Sequence, residues 1–319
     1  MFNVGTGDLV AGAGRNHGGS TKRKQLQLVS RVSSPIKSSS LTFYSQAGPP
    51  HAPLLSAMSL LMWNCRGLGR PSAARALREI IKETDPIGIF LMEIKVKDGV
   101  VYCVMKKIGF SFFLSIPPVG LRVGLLFCWR PELQFSVLWN STNILHLQIN
   151  LGSDYSDFLC SLIYGPPLWR DKEQFWNKLT DLAQGPEVPG VCVGDFNDLL
   201  GAQEKLGGRA VKASSSRGLS HFMSSMGFVD LGYSGSRFTW SNKCLGLANI
   251  RERIDRAIAN VPWRIAYPNA TIHHYKIAPS DHTSIILRFL GYEPSMPKPF
   301  KFESLCVREK ASFAVVTKS

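Results

Sequence analysis

The chain has 319 residues, 45% of them hydrophobic and 19% charged, enough to bury a full core in one large domain or two small ones. Its 37 basic side chains against 23 acidic ones leave a net charge of +14, about half of it on residues 58–290, which is compatible with a polyanionic partner such as nucleic acid. No apolar run reaches the roughly 18 residues that a membrane helix needs, and seven scattered cysteines without a CxxC pair read as buried free thiols of a reducing compartment, not a disulfide frame or zinc site.

Residues 1–57 are rich in Gly, Ser and basic residues, with a cluster at Lys22–Lys24, and read as a disordered arm. The arm is compatible with an organelle transit peptide, a linker left from a longer polypeptide, or a nuclear-type basic cluster. Order is expected from Met58. Ser59–Trp63 reads as a strand running into a Gly-rich turn. Ala73, Ala76, Leu77, Ile80 and Ile81 have helical spacing within Ser72–Glu83, and Pro86 stops that helix. Ile87–Met92 is a buried strand ending at Glu93. Further strands are expected over Ser111–Ser115, Gly124–Trp129, Ile144–Asn150 and Phe158–Tyr164, the last broken by Pro166 and Pro167. Asp171–Leu182 reads as a helix with Phe175, Trp176 and Leu179 inward.

A strand then opens at Val191 in VCVGDFNDLL. A Gly/Ser-rich loop follows at Gly207–Ser216, then a helix at Gly218–Met226. Strands are expected over Phe238–Ser241, Ile254–Ala259 and Ile285–Leu290, with an irregular tail over 291–319. Many strands and only about three helices predict an α/β layered sandwich and not a doubly wound parallel sheet.

Polar side chains recur where these strands emerge: Asn64, Glu93, Tyr164, Asp195 and Asn197. Alternation predicts Asp195 and Asn197 on one face of a cleft, with Phe196 turned into the core. A carboxylate beside a carboxamide suits a hard cation or an activated water. Ser280-Asp281-His282 adds the one histidine flanked by a carboxylate.

The motifs WNCRGLG, LMEIK, LIYGPP, GDFND, RFTWSN, RERIDRAIAN and SDH follow one another between Met58 and Leu290. Together they resemble the endonuclease/exonuclease/phosphatase superfamily, and within it the apurinic-type endonuclease domain of plant LINE-type (non-LTR) retrotransposons. The resemblance implies a four-layered, DNase I-like sandwich and Mg2+-dependent (or Mn2+-dependent) nicking of DNA; a nuclear, monomeric enzyme without a membrane partner is expected. It makes Glu93 the principal metal ligand, with Asn64 and Asp281 at the metal site. Asp195 and Asn197 would activate the nucleophile, and Tyr164 would face the scissile phosphate. Asp281 and His282 match the terminal Asp-His pair, with Asp255 orienting the histidine. Thr239 and Trp240, with the loop to Arg253, resemble the DNA-facing hairpin.

Three positions depart from the family pattern: Ile94 where Thr is usual, Thr283-Ser284 where a Pro is expected after SDH, and Leu121-Arg122-Val123 in place of a small Ser-Gly-Gly stretch. The resemblance also leads one to expect a reverse transcriptase downstream, so the chain reads as a fragment, domesticated or decaying. A phosphomonoesterase, an inositol- or lipid-phosphate phosphatase of the same fold, and a non-catalytic nucleic-acid-binding remnant are the alternatives.

Overall fold

A computed structural model of the chain describes residues 42–44, 58–96, 98–116, 124–183, 187–211, 217–276 and 280–291. The expectations for most of 1–57, for 121–123, for part of the Gly/Ser-rich loop and for the tail beyond 291 lie outside the described residues.

The first half of the fold runs β1 (Thr42–Tyr44), β2 (Ser59–Asn64), α1 (Pro71–Thr84), β3 (Gly88–Met92), α2 (Asp98–Ile108), β4 (Phe112–Ile116), β5 (Leu125–Trp129), β6 (Gln134–Asn140), β7 (Ile144–Asn150) and β8 (Phe158–Tyr164). The next stretch adds α3 (Trp169–Leu182), β9 (Gly190–Asp195), β10 (Lys205–Leu206), α4 (Arg217–Met226), β11 (Phe228–Asp230) and β12 (Ser234–Gly235). It closes with β13 (Trp240–Ser241), β14 (Arg251–Glu252), β15 (Asp255–Asn260), α5 (Val261–Ala266), β16 (Thr271–Tyr275) and β17 (Ser284–Arg288).

Two mixed sheets carry the architecture. One has eight strands in the order β1-β4-β5-β3-β2-β17-β16-β12, the other six in the order β11-β15-β9-β8-β7-β6. The central strands alternate with the period of two that a pleated strand imposes. Leu60 and Met62 of β2, Cys160 and Leu162 of β8, and Val191 and Val193 of β9 meet in one core between the sheets. Leu61 and Trp63 face the opposite way, onto Leu77 and Ile80 of α1 and Val101 and Met105 of α2. Ile163 and Cys192 face Phe175 and Leu179 of α3 and Leu219 and Phe222 of α4. The result is helices, sheet, sheet, helices: a DNase I-like α/β sandwich.

Local chemistry sets the element ends. Pro71 opens α1, where a missing N–H costs nothing, and Asp85 closes it in a left-handed conformation, its N–H on the Ile81 carbonyl. Some elements were not anticipated. Thr42–Tyr44, inside the stretch read as a disordered arm, pairs antiparallel with β4, as its β-favouring Thr-Phe-Tyr composition allows. The helix α2 was missed because DGVVYCVMKKI is a β-branched apolar run with little helical periodicity. Five α-helices, not three, are present among the described residues.

Candidate active site

The inward rows that build the core continue, at one end of the gap, into polar side chains. Asn64 extends the Leu60–Met62 row, Tyr164 the Cys160–Leu162 row, and Asp195 the Val191–Val193 row. Asp255 begins the row of Ala257 and Ala259 on β15. Strand register sets Tyr164 beside Asp195 and Asp195 beside Asp255, three polar residues in line across three strands. The site is the hydrophilic end of the hydrophobic core.

Loops supply the rest under backbone strain. Four of the six non-glycine residues with positive φ among the described residues lie here: Arg66 (49°), Glu93 (53°), Lys95 (51°) and Asn197 (48°). Such conformations cost free energy and persist where surrounding contacts hold them. Two glycines let the backbones close up. A Cβ on Gly165 would stand 2.1 Å from the Phe196 carbonyl oxygen, and one on Gly194, at φ 142°, 2.1 Å from that of Ile163. The Gly165 N–H donates to the Asp195 carbonyl at 2.6 Å.

The side chains interlock. Asn64 Nδ2 donates to Glu93 Oε1 at 3.1 Å and to Asp195 Oδ2 at 3.0 Å. The Tyr164 hydroxyl donates to Glu93 Oε1 at 3.2 Å. His282 Nδ1 lies 3.2 Å from Asp255 Oδ2 and 3.7 Å from Asp195 Oδ2. Ser280 Oγ donates to the Asn64 carbonyl at 2.9 Å and accepts the His282 N–H at 3.1 Å, fixing the loop before β17 against β2. Trp240 Nε1 donates to Asp281 Oδ2 at 3.0 Å.

Burial and charge tune these groups. Asp195 is fully buried, and desolvation, helped by the Asp255 charge, pushes its carboxyl up to about 7 against the pull of His282, Asn64 and the Asn197 N–H. Burial alone would depress His282, but Asp255, Asp195 and Asp281 outweigh it and raise the imidazole to about 9. Burial also raises Glu93, yet Asn64, Lys95 and Arg66 together leave it below the usual carboxylate range. The Tyr164 hydroxyl is raised by burial and by the Glu93 and Asp195 charges, so it stays a donor.

Sequence reasoning gathered Asn64, Glu93, Tyr164, Asp195, Asp255, Asp281 and His282, and the structure brings all seven together. Asn197 differs. The strand ends at Asp195, so alternation stops there; Asn197 turns left-handed and donates from Nδ2 to the Gly165 carbonyl at 2.8 Å, while its N–H caps Asp195 Oδ1 at 2.9 Å. It reaches the site through the turn after β9, beside the Asp195 carboxylate, and not through strand alternation.

Two residues expected on a DNA face point inward. Thr239 is wholly buried, its Oγ1 accepting the N–H groups of Ile254 and Asp255 at 3.0 Å. Arg253 is buried too, paired with Glu204 at 2.9 Å and Asp230 at 2.8 Å beside Arg256, because two guanidiniums can enter the interior only with carboxylates. Trp240 alone of the three stands at the rim, half-buried against Asp281. Asn64 presents its amide nitrogen to Glu93 and Asp195 and its oxygen to the Arg66 N–H at 3.3 Å, and so bridges the two acids beside the expected metal site. The departure at Ile94 is accommodated by complete burial against the outer face of the eight-stranded sheet.

Of the cations in the site, only Lys95, two residues after Glu93, suggests an ion pair from the sequence. Lys95 Nζ lies 3.0 Å from Glu93 Oε2. Arg66 Nε lies 3.7 Å from that same oxygen and 3.4 Å from Asp281 Oδ1, and its Nη2 is 3.5 Å from His282 Nε2. Lys172 of α3 donates to the Asn197 carbonyl at 2.6 Å.

The donor set fits a hard divalent cation. Glu93 and the more open Asp281 offer carboxylate oxygens linked by Arg66, and Mg2+ asks for one or two carboxylates with water completing its shell. Asp195, Asp255 and His282 also bring one potential ligand atom each within 4.8 Å of one another. That second cluster is closed by its own contacts, with Nδ1 of His282 engaged by Asp255.

Comparison with solved structures places the fold. The endonuclease domain of TRAS1, a telomere-specific non-LTR retrotransposon, matches with a TM-score of 0.54 at 13% identity, over 73% of this chain and 98% of that one. The AP endonuclease LMAP from Leishmania major matches at 0.58 and 16% identity, over 72% and 86%. An AP endonuclease from Archaeoglobus fulgidus matches at 0.54 and 16%, over 73% and 99%. At these identities the likeness is one of fold, a DNase I-like α/β sandwich. A comparison with curated proteins gives no match. The chain belongs to the Endonuclease/Exonuclease/phosphatase family, whose model matches residues 62–282.

Proposed function

We propose that the protein is a divalent-metal-dependent endonuclease that nicks DNA, of the kind carried by plant LINE-type retrotransposons, acting in the nucleus as a monomer. One observation carries this reading. Glu93, Asn64, Asp195, His282 and Asp255 form a single chain of hydrogen bonds and ion pairs that spans both sheets. Phosphodiester hydrolysis needs an aligned water, neutralised phosphoryl oxygens and help for the leaving alkoxide. Asp195, tethered by Asn64 and the Asn197 N–H, orients a water and accepts its proton. Asp255 holds Nδ1 of His282, so Nε2 faces outward toward the phosphate. A Mg2+ or Mn2+ ion on Glu93 and Asp281 would supply Lewis-acid stabilisation of the negative charge.

The rim favours a polymer over a small phosphomonoester. Between β13 and β14 a hairpin projects beside Trp240, its Lys243, Leu245, Leu247 and Arg251 exposed, Leu245 at 91% and Leu247 at 103%. Purified protein with Mg2+ should convert supercoiled plasmid to open circles, and EDTA should stop it. Turnover of a soluble phosphomonoester without plasmid nicking would put the phosphatase reading first. Salt-sensitive DNA binding with no metal-dependent nicking would favour the remnant.

A further inference from the structure

Arg66 has no role in the reading above, although it touches more of the site than any other cation. Its guanidinium lies near Glu93, Asp281 and His282, which come from three different segments of the chain. None of these contacts is shorter than 3.4 Å, against the roughly 2.7–2.9 Å of a seated charge-assisted hydrogen bond. The side chain is 39% exposed, and Glu93 already has Lys95 at 3.0 Å. The backbone beneath it is fixed: left-handed at φ 49°, with its N–H on Asn64 Oδ1. Arg70 pins the same turn, its Nη2 donating to the Cys65 carbonyl at 2.9 Å. A loosely held guanidinium thus sits on a rigid base, between the two carboxylates that a divalent cation would take. The two cations cannot share that space, because like charges at a few ångströms repel.

We propose that Arg66 is a displaceable occupant of the Glu93–Asp281 cation site and, once displaced, the residue that holds the substrate's phosphate. A swung-out guanidinium remains at the mouth beside His282 and offers a planar fork to phosphoryl oxygens. The second half rests on the phosphoester-hydrolase reading; the first does not.

Mn2+ binding without substrate, followed by electron paramagnetic resonance, tests the displacement on wild type, Arg66→Ala and Arg66→Lys, with circular dichroism confirming the fold of each. Removing a weak competing ion pair should tighten Mn2+ binding roughly fivefold in Arg66→Ala, with Arg66→Lys between. Unchanged or weaker Mn2+ binding by folded Arg66→Ala overturns the proposal. On plasmid, Arg66→Ala should raise KM and lower kcat despite its tighter metal. Tighter Mn2+ binding with undiminished nicking would make Arg66 an obstacle only and overturn its role on the phosphate. A wild type that cuts no DNA would count against the endonuclease reading and leave the Mn2+ comparison to decide the displacement.

Discussion

Asp255 Oδ2 stands 3.2 Å from Nδ1 of His282, although the two residues are 27 apart in sequence and one begins a strand of the six-stranded sheet while the other precedes a strand of the eight-stranded one. The carboxylate comes from the first residue of β15, and the imidazole from the loop that enters β17. The contact joins the sheets at the site and fixes which imidazole nitrogen faces outward.

Asp255→Asn should therefore weaken catalysis without emptying the site. The amide keeps the shape but removes the charge that holds up the imidazole. We expect kcat to fall by about 10²-fold or more, the range for an acid–base group, and the His282 pKa to fall from about 9. Plasmid nicking and an NMR titration of the His282 ring would measure both. An unmoved His282 pKa would show that Asp195, not Asp255, supports the imidazole.

The pH profile should be bell-shaped. In the proposed mechanism Asp195 must be ionised to accept a proton, and burial keeps it protonated up to about pH 7. His282 must stay protonated to stabilise the phosphate, and it loses its proton near pH 9. Activity should rise through pH 7 and fall beyond pH 9. In His282→Gln the residual activity should keep the acid limb and lose the alkaline one; an alkaline limb that survives there belongs to another group.

Arg253→Ala should damage the fold and spare the DNA interface. The side chain is buried against Glu204 and Asp230, and deleting one partner of a buried ion pair costs about 3 kcal/mol. Thermal melting should show that loss, while the slope of DNA affinity against salt should match wild type within error. A shallower slope would return Arg253 to the DNA surface.

Acid should destabilise the protein through His146. This residue is 2% exposed, and burial, with Lys178 nearby, lowers its pKa from 6.5 to about 4. The unfolded chain therefore takes up a proton that the folded chain refuses between about pH 6.5 and 4. Stability from this group is present above pH 6.5 and is lost as pH falls through that window. His146→Gln should flatten the fall in melting temperature over the same range; an unchanged slope would assign the effect elsewhere, His274 being the next candidate.

The period-two strands were legible because their rows are unbroken: Ile144–Asn150 and Phe158–Tyr164 coincide with β7 and β8. What hid was whatever lacked a period. The helix α2 carries valines at consecutive positions, and β6 is a half-exposed edge strand without a clean hydrophobic face. At the site, residues that extend a strand row, such as Asn64 and Asp195, could be read from alternation. Arg66 could not, since an arginine in a turn carries no pattern and only the three-dimensional turn aims it at Glu93. Alternation does not describe Asn197, which lies in a left-handed turn beyond the end of β9.

Asp195 occupies the same row of β9 as Val191 and Val193, and in the proposed mechanism this ties catalysis to folding in a strict way. A slip of β9 by one residue against β8 or β15 would rotate the carboxylate to the helix side and bring Phe196 into the gap. No mispaired sheet can then hydrolyse anything, however compact it is. During refolding, the return of activity will lag the return of secondary structure and will time the moment when the strands settle into their final alignment.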